Sequence, residues 1–434
     1  MKPNSNISYV SVKKARNILE QFILRNRILH SETIYVRNCY KRVLAKNIVA
    51  DVDIPAFDSS HMDGYAVKAG DITYASEQTP VVLRLKRDKI KPMKAVPSDF
   101  ILQRQEAFRI NTGGYLPQGA NTVVPVEDAQ TTHKKNEVRI IRALPARSFV
   151  YPRGLDIKKD QEVIKRGRIL RPQDIGLLDS LYITKINVLR RPRVAIISTG
   201  SELTNNKKYV KSGKVLENHS GIISKLVEEL GGIPFRMGIV PDDVTKIRNK
   251  IEKAISQSMD LILTLGGSSV GEHDLVETAI KSMGVPQIFF HGVKLDRGRV
   301  TGAAISKGRP IIIMPGPIQG AINAFIIFAY PIIKLLSGQI VGKPITLDAR
   351  LTQEWNARKR FPNFSKVVYV HLRSKENGEY EADCVPGETE TLTTFTRSDG
   401  YIIVDEKTTC IKPGEKVKVS LLPGLSYVNG QLEI

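Results

Sequence analysis

The residues best suited to chemistry lie in one stretch, from Leu261 to Asp274, which reads LILTLGGSSVGEHD. An apolar run, typical of a buried strand, is followed by a glycine- and serine-rich loop and by Asp274 at the start of a predicted helix. Glycines let backbone N–H groups approach a ligand closely, and a helix N-terminus attracts anions. The stretch therefore predicts a phosphate cradle, formed by Gly266, Gly267, Ser268, Ser269 and Gly271.

The loop differs from the common nucleotide-binding loop. Gly266 and Gly271 have P-loop spacing, but Glu272 and His273 stand where Lys and Ser or Thr are required, which argues against an ordinary ATPase. A carboxylate such as Asp274 suits a metal that bridges to phosphate. A plain strand-to-helix turn, with Asp274 only as the helix cap, is the alternative that the residues leave open.

The surrounding elements place other loops beside this one. Helical patterns at Ser220–Leu230 and Val244–Ser256 alternate with apolar runs, which lie at Val194–Ser198, Phe235–Val240, Leu261–Leu265 and Ile311–Met314. Strands separated by such crossovers form a doubly wound parallel sheet, and ligands bind at the carboxyl ends of its strands. We therefore expect three loops to converge, namely Thr199–Glu202, Gly266–Asp274 and Met314–Pro317. The pair Asp242-Asp243 also follows a strand, where it either holds magnesium or caps the next helix.

The whole chain of 434 residues reads as a multidomain α/β and β protein. The central α/β domain covers 190–340, a β-rich insert module covers 51–147, and a small C-terminal β-barrel covers 341–434. Residues 1–50 plus 148–189 form a helical and β spacer domain, which is discontinuous and begins with an amphipathic helix capped by Ser11.

Composition narrows the class of partner. A formal net charge of +21 and a pI near 9.7 indicate attraction to anions, but aromatic and basic residues are not interleaved, so nucleic acid is not the expected partner. The most apolar stretch, Ala321–Leu336, is short and contains Pro331 and Lys334, which favours a buried helix over a membrane span. Three widely spaced cysteines favour a reducing, cytoplasmic location.

Four separated motifs carry a family resemblance. Residues 55–71 read PAFDSSHMDGYAVKAGD, residues 111–127 read NTGGYLPQGANTVVPVE, residues 191–203 read RPRVAIISTGSEL, and the glycine loop is the fourth. In this order they resemble the motifs of the MoeA family, the molybdopterin molybdenumtransferases related to the gephyrin E domain. The resemblance implies a MogA-like central domain in a four-domain protomer that forms a homodimer, with each active site between the α/β domain of one subunit and the β-rich module of the other. It implies insertion of molybdate or tungstate into adenylylated molybdopterin, received from a donor enzyme, with release of AMP and help from Mg²⁺.

The resemblance also assigns roles to residues. It implies Asp63, Glu202 and Asp274 as catalytic carboxylates, and Glu202, Asp242 and Asp274 as magnesium ligands. Besides the cradle residues, the implied substrate contacts are Ser60, Thr112, Gly113, Thr199, Gly200, Arg299, Pro315 and Gly316. An Asp-Gly turn for Asp63 and a turn cap for Thr112 are the structural alternatives. We expect Asp274→Asn and Glu202→Gln to lower turnover far more than stability, because neither change removes buried apolar volume.

Two loops depart from the family pattern. A K-P-G-K-P segment appears here as Asp296–Val300, DRGRV, and L-P-G-N-P-V-S-A appears as Met314–Ala321, MPGPIQGA. In the family these loops lie near the oxyanion end of the site, so we expect Lys294 and Arg297 to replace the lost cation. A diverged paralogue that binds a pterin or nucleotide without inserting metal, as a carrier, regulator or scaffold, is the alternative function.

Overall fold

The computed structural model describes residues 9–86, 100–134, 136–267, 274–284, 287–339, 342, 345–358 and 361–422. The chain divides into two compact units. The first unit comprises Met1–Ala45, Gly167–Arg171 and Lys185–Ile434, and the second comprises Lys46–Arg166 and Pro172–Thr184. The segments of the predicted spacer domain are shared between these units, so its division from the other domains stays a prediction.

A six-stranded sheet forms the centre of the first unit. Its strands are β1 (Arg193–Thr199), β2 (Ile233–Val240), β3 (Leu261–Leu265), β4 (Gln287–His291), β5 (Gly302–Ser306) and β6 (Arg309–Met314). The order across the sheet is β2-β1-β3-β6-β5-β4. The first four strands of this order are parallel, as predicted. The last two, β5 and β4, pair antiparallel and were missed, because the run GAAIS in β5 has little of the β-branched character that marks a strand.

Helices cover both faces of this sheet. They are α1 (Val12–Asn26), α2 (His219–Glu229), α3 (Val244–Ser256), α4 (Leu275–Lys281) and α5 (Ile318–Leu336). Successive residues of β1 point to opposite faces, so Val194 and Ile196 pack with α1, α2 and α5, whereas Ala195 and Ile197 pack with α3 and α4. The arrangement is a three-layer α/β/α sandwich, the MogA-like domain that the sequence predicted.

The most apolar helix, α5, lies inside this sandwich. It is long and apolar enough to cross a membrane by length and composition alone, but 89% of its most apolar window is buried within the protein. Its middle turn, Phe325–Ala329, is a π-helix. The prediction that this stretch is a buried core helix is confirmed.

The C-terminal part of the first unit is a closed five-stranded barrel, as predicted. Its strands are β7 (Thr346–Leu351), β8 (Lys366–Ser374), β9 (Tyr380–Cys384), β10 (Gly400–Val404) and β11 (Lys416–Leu421). They close in the order β7-β9-β8-β10-β11, with β7 completing the ring against β11. Alternating residues such as Val368, Val370 and Leu372 fill the interior.

The second unit contains the β-rich module. Its six strands, in sheet order, are Thr122–Pro125, Gly64–Val67, Glu106–Ile110, Val81–Leu85, Glu137–Ile140 and Ala129–Thr131. One helix of this unit spans Pro172–Ser180. Strand Gly64–Val67 is buried throughout, pairs with a strand on each side and follows directly after Asp63. The sheet therefore holds the first family motif in a paired, buried strand.

The N-terminal helix provides a test of this packing. Leu19 is 1% exposed in the core shared with α5, whereas Leu24 on the same helix is 45% exposed. We expect Leu19→Ala to lower the free energy of unfolding by roughly 2–5 kcal/mol, because it leaves a cavity between packed layers. The matched change Leu24→Ala should cost less than about 1 kcal/mol. Urea unfolding followed by circular dichroism measures both, and equal effects would contradict the placement of α1 in the core.

Candidate functional site

The loops after β1 and β3 meet at one rim of the central sheet. Gly266 and Gly267 have φ angles of +90° and +62°, in the left-handed region that favours glycine. A Cβ on Gly266 would lie 2.4 Å from the carbonyl oxygen of Thr199, and one on Gly267 would lie 2.6 Å from Thr199 Oγ1. The first half of the predicted cradle therefore packs against Thr199, and only glycine permits that approach. Ser268, Ser269 and Gly271, the other predicted cradle residues, lie outside the described residues.

The loop after β2 joins the same rim. The N–H of Ser201 donates to Asp242 Oδ2 at 2.8 Å, and the N–H of Asp242 donates to Ser201 Oγ at 2.9 Å. Asp243 caps α3 through a bond from the N–H of Lys246 at 2.8 Å. Of the two predictions for this Asp pair, helix capping is confirmed for Asp243. Asp242 instead links the loops after β1 and β2 through hydrogen bonds with Ser201.

Glu202 is an exposed carboxylate of this rim. Its side chain folds back over Gly200, where a Cβ would lie 2.6 Å from Glu202 Oε1. Glycine at position 200 thus makes room for the acid that follows. Because Glu202 is solvent-accessible, it can meet a ligand without unfolding any part of the loop.

The loop after β6 completes the rim. The Cα of Gly266 lies 3.4 Å from the Cβ position of Gly316, and Pro315 is buried beneath it. The carbonyl of Gly316 also lies 3.1 Å from His219 Nδ1, at the first turn of α2. The predicted convergence of three loops is therefore present, and His219 is a rim residue that the sequence analysis missed because no spacing rule links it to Gly316.

Asp274 is buried, with 2% exposure, and caps α4 through a 2.6 Å bond from the N–H of Glu277. Its Oδ2 lies 3.2 Å from Nε2 of His291, whose Nδ1 contacts the carboxylate of Glu277. The alternative that Asp274 caps a helix is thus confirmed. Asp274, His291 and Glu277 also form a buried row of interacting side chains, which the sequence did not indicate. The expectation that Asp274→Asn lowers turnover more than stability stays a prediction, although this side chain also holds a helix start and approaches a buried imidazole.

The predicted magnesium ligands are not gathered in one cluster. Within the described ranges, no group of three or more His, Cys, Asp or Glu side chains is placed to hold a metal ion. Asp242 accepts from the Ser201 backbone and Asp274 caps a helix, so each of these carboxylates already has a partner within the protein. Magnesium is commonly held by one or two carboxylates together with substrate phosphates, so the assignment of Glu202, Asp242 and Asp274 as its ligands stays a prediction.

The second unit brings two predicted site residues together. Thr112 donates to Asp63 Oδ1 from its backbone N–H at 2.6 Å and from its hydroxyl at 2.8 Å. These two bonds hold the pKa of Asp63 below its ordinary value. Both residues are exposed, so the carboxylate is ionised, oriented and open to solvent.

Ser60 and Gly113 lie next to this pair but play structural parts. The N–H of Gly113 donates to the Ser60 carbonyl at 2.8 Å, and the hydroxyl of Ser60, which is fully buried, donates to the Met62 carbonyl at 2.5 Å. Ser60 therefore joins the first two motifs. Its hydroxyl is occupied within its own turn, in contrast to the predicted substrate contact.

The diverged loop contains Asp296, a partly buried carboxylate. Burial raises the pKa of Asp296, even though the charges of Arg358, Lys366 and Arg299 act to lower it. The N–H of Asp296 donates to the Ser365 carbonyl at 2.9 Å, which joins the loop to the start of barrel strand β8. Arg358 and Lys366, from the C-terminal part of the chain, therefore lie near the position where the family pattern has a lysine.

The guanidinium of Arg297, which was predicted together with Lys294 to replace the lost cation, is engaged with other side chains, and the replacement stays a prediction. This guanidinium bonds to Gln319 and lies 3.4 Å from Glu388. Arg299, the predicted substrate contact of this loop, stacks over the ring of Phe361, with 5.1 Å between its guanidinium carbon and the ring centre. Arg299 is thus the cation that this loop keeps at the second lysine of the family's K-P-G-K-P segment.

The fold and the rim define a class of protein. Residues 195–335 match the model of a probable molybdopterin binding domain, with a MoeA N-terminal region (domain I and II) at 10–181 and a MoeA C-terminal region (domain IV) at 348–422. A multidomain molybdopterin-binding protein with a C-terminal barrel is thus the class that these matches and the architecture indicate. The chain belongs to the MoeA family.

Individual relatives agree with this membership. The chain is 31% identical to a putative molybdopterin biosynthesis protein from Methanocaldococcus jannaschii over 88% of this chain and 89% of that protein. It is 27% identical to a molybdopterin molybdenumtransferase from Staphylococcus aureus over 82% of this chain and 83% of the relative. A solved molybdopterin biosynthesis MoeA protein from Pyrococcus horikosii superposes with a TM-score of 0.81 at 27% identity, covering 96% of this chain and all of that structure.

The buried row predicts a pH effect on stability. Burial alone would lower the pKa of His291, but Asp274 and Glu277 together raise it above its ordinary value of 6.5. Protonated His291 therefore stabilises the fold below about pH 6.5, and this contribution is lost as pH rises through the raised pKa. We expect the free energy of unfolding of the wild type to fall over that window and His291→Gln to lack this fall.

Urea unfolding across about pH 6 to 9 measures the slope. The exposed His133 supplies the control, because His133→Gln should keep the wild-type slope. If His291→Gln and the wild type show the same dependence on pH, His291 does not carry a stabilising proton.

Proposed function

We propose that this protein is a molybdopterin molybdenumtransferase of molybdenum cofactor biosynthesis. It inserts molybdate or tungstate into adenylylated molybdopterin and releases AMP. The observation that carries the proposal is the convergence of Thr199, Gly266 and Gly316 at the carboxyl ends of three parallel strands. That rim is where ligands bind in doubly wound sheets, and its glycines leave room for a substrate to approach the backbone closely.

Each of the three predicted catalytic carboxylates has a distinct part in this proposal. Glu202 lies on the rim and acts directly on the bound substrate. Asp63 stays ionised because Thr112 donates two hydrogen bonds to it, so it interacts with substrate as a fixed negative charge. Asp274 is a positioning residue, because its oxygens hold the start of α4 and approach His291.

The oxyanion end is assigned to the cations around Asp296. Arg299, Arg358 and Lys366 face that carboxylate from the loop and from the barrel segment. Their charges together exceed the single charge of Asp296, which leaves positive potential for molybdate or tungstate.

We also propose that the protein works as a cytoplasmic homodimer that receives its substrate from a donor enzyme. In this proposal, the rim of one copy and the Asp63–Thr112 pair of the other copy serve the same substrate. A point-group dimer with two equivalent composite sites follows from such an arrangement. The support is the family membership and the occurrence of the two sets of residues in different units of the chain.

Molybdate-dependent release of AMP from adenylylated molybdopterin tests the activity. We expect Glu202→Gln and Asp63→Asn each to lower kcat at least about tenfold with little change in melting midpoint, because both side chains are exposed. Glu229→Gln, an exposed change on α2 that lies outside the rim, is the control and should keep full activity. Tight binding of the substrate with no AMP release by the wild type would instead support the non-catalytic paralogue.

The composite dimer has a separate test. Subunits carrying Glu202→Gln and subunits carrying Asp63→Asn should be inactive alone, yet co-expression should restore about a quarter of wild-type activity, because half of randomly paired dimers contain one intact site. Recovery near zero, with mixed dimers verified by mass spectrometry, would show that both residues act within one chain.

A further inference from the structure

A cavity lined by three arginines lies at the opposite ends of the central strands from the rim. Its volume is about 430 Å³, and its lining residues are His30, Arg190, Arg193, Ser258, Asp260 and Arg309. Arg193 begins β1, Asp260 precedes β3, and Arg309 begins β6. Because these strands are parallel, their amino ends meet here, away from the loops assigned to the transferase reaction.

The cavity is organised by one carboxylate. Asp260 accepts from Arg190 Nη2 at 2.8 Å and 3.0 Å through its two oxygens, and it accepts from the backbone N–H of Arg193 at 2.7 Å. Arg309 Nη1 lies 3.5 Å from Asp260 Oδ1. The Asp260 side chain is 13% exposed, so these bonds orient two guanidinium groups around a shielded centre.

The positive charges of the lining exceed what Asp260 needs. Three arginines and one carboxylate line the cavity, which leaves two positive charges uncompensated among the lining side chains. The two bonds from Arg190 Nη2 to the Asp260 oxygens already neutralise this carboxylate. A purely structural role explains Arg190 and the longer approach of Arg309, but it leaves the lining with more positive charge than Asp260 neutralises.

Among the described residues, the Arg193 side chain contains a buried hydrogen-bond donor that lacks an acceptor. Its guanidinium stacks on Phe235, with 4.6 Å between the guanidinium carbon and the ring centre, so the fork is held in place. Its Nε is buried and has no hydrogen-bond acceptor in the part of the chain that the structure describes. A buried donor without an acceptor is costly, and a bound anion is one means of satisfying such a group.

We propose that this cavity binds a small phosphate monoester as its dianion. A phosphate monoester carries a charge of about −1.5 to −2 near neutral pH, which matches the uncompensated charge of the lining. Planar arginine forks pair well with phosphate oxygens. The volume lies within the range of roughly 300–1,000 Å³ of small-molecule sites, so it accommodates an organic group as well as the phosphate.

Isothermal titration of the full chain with ribose 5-phosphate, inorganic phosphate and ribose tests the proposal. We expect ribose 5-phosphate to bind more tightly than inorganic phosphate and ribose not to bind. Arg309→Gln should weaken binding of ribose 5-phosphate at least about tenfold, a loss of about 1.4 kcal/mol, with an unchanged melting midpoint because its side chain is 37% exposed. Arg309→Lys, which keeps the charge but loses the fork, should fall between the two.

Two control variants separate this cavity from other sources of phosphate binding. Lys307→Gln removes the same charge two residues away without changing a lining residue, and it should keep wild-type affinity. Arg299→Gln alters the rim of the proposed transferase site, and binding that survives Arg299→Gln but is lost in Arg309→Gln belongs to the cavity.

Three outcomes would overturn the proposal. They are no binding of either phosphate by the wild type at millimolar concentration, equal loss in Lys307→Gln and Arg309→Gln, and loss in Arg299→Gln alone. Tighter binding of inorganic phosphate than of ribose 5-phosphate would replace the monoester with free phosphate as the ligand. None of these results depends on AMP release, so the test is independent of the proposed transferase activity.

Discussion

The close approach of Gly266 and Gly267 to Thr199 is the contact on which the rim depends. Strands β1 and β3 are neighbours in a sheet that is buried on both faces, so their carboxyl ends leave the sheet side by side. Any side chain at either glycine would force the two loops apart. Since the loop after β6 also contacts Gly266, separation there would disturb every loop that the proposed substrate meets.

Burial divides the acidic residues of the rim into two kinds. Glu202 is exposed and has room to act on a ligand, whereas Asp274 is buried and committed to the α4 cap and to His291. A buried carboxylate needs partners, and those partners leave it less free for other chemistry. Asp296 is a related case, because burial raises its pKa although Arg299, Arg358 and Lys366 act to lower it. The altered loop has therefore changed the source of its positive charge.

The two ends of the parallel strands in the central sheet have different proposed ligands. The carboxyl ends present glycine loops and exposed carboxylates, and the amino ends present arginines around Asp260. Both arrangements arise from parallel strands, which gather equivalent strand ends at one edge. A single sheet can thus support two anion-binding sites that share no side chain.

The sequence by itself determined the elements, because local patterns report them: the stripe of Val244, Ile247 and Ile251 predicted α3 with its observed bounds, and apolar runs predicted the four parallel strands. It also predicted that three loops converge, since topology alone requires this. Only the tertiary structure decided what each side chain does there. The contacts of His219 with Gly316, of His291 with Asp274 and Glu277, and of Arg297 with Gln319 join residues that no local pattern connects. Whether a carboxylate caps a helix, balances a charge or meets solvent depends on burial and on distant partners, which are properties of the packed chain.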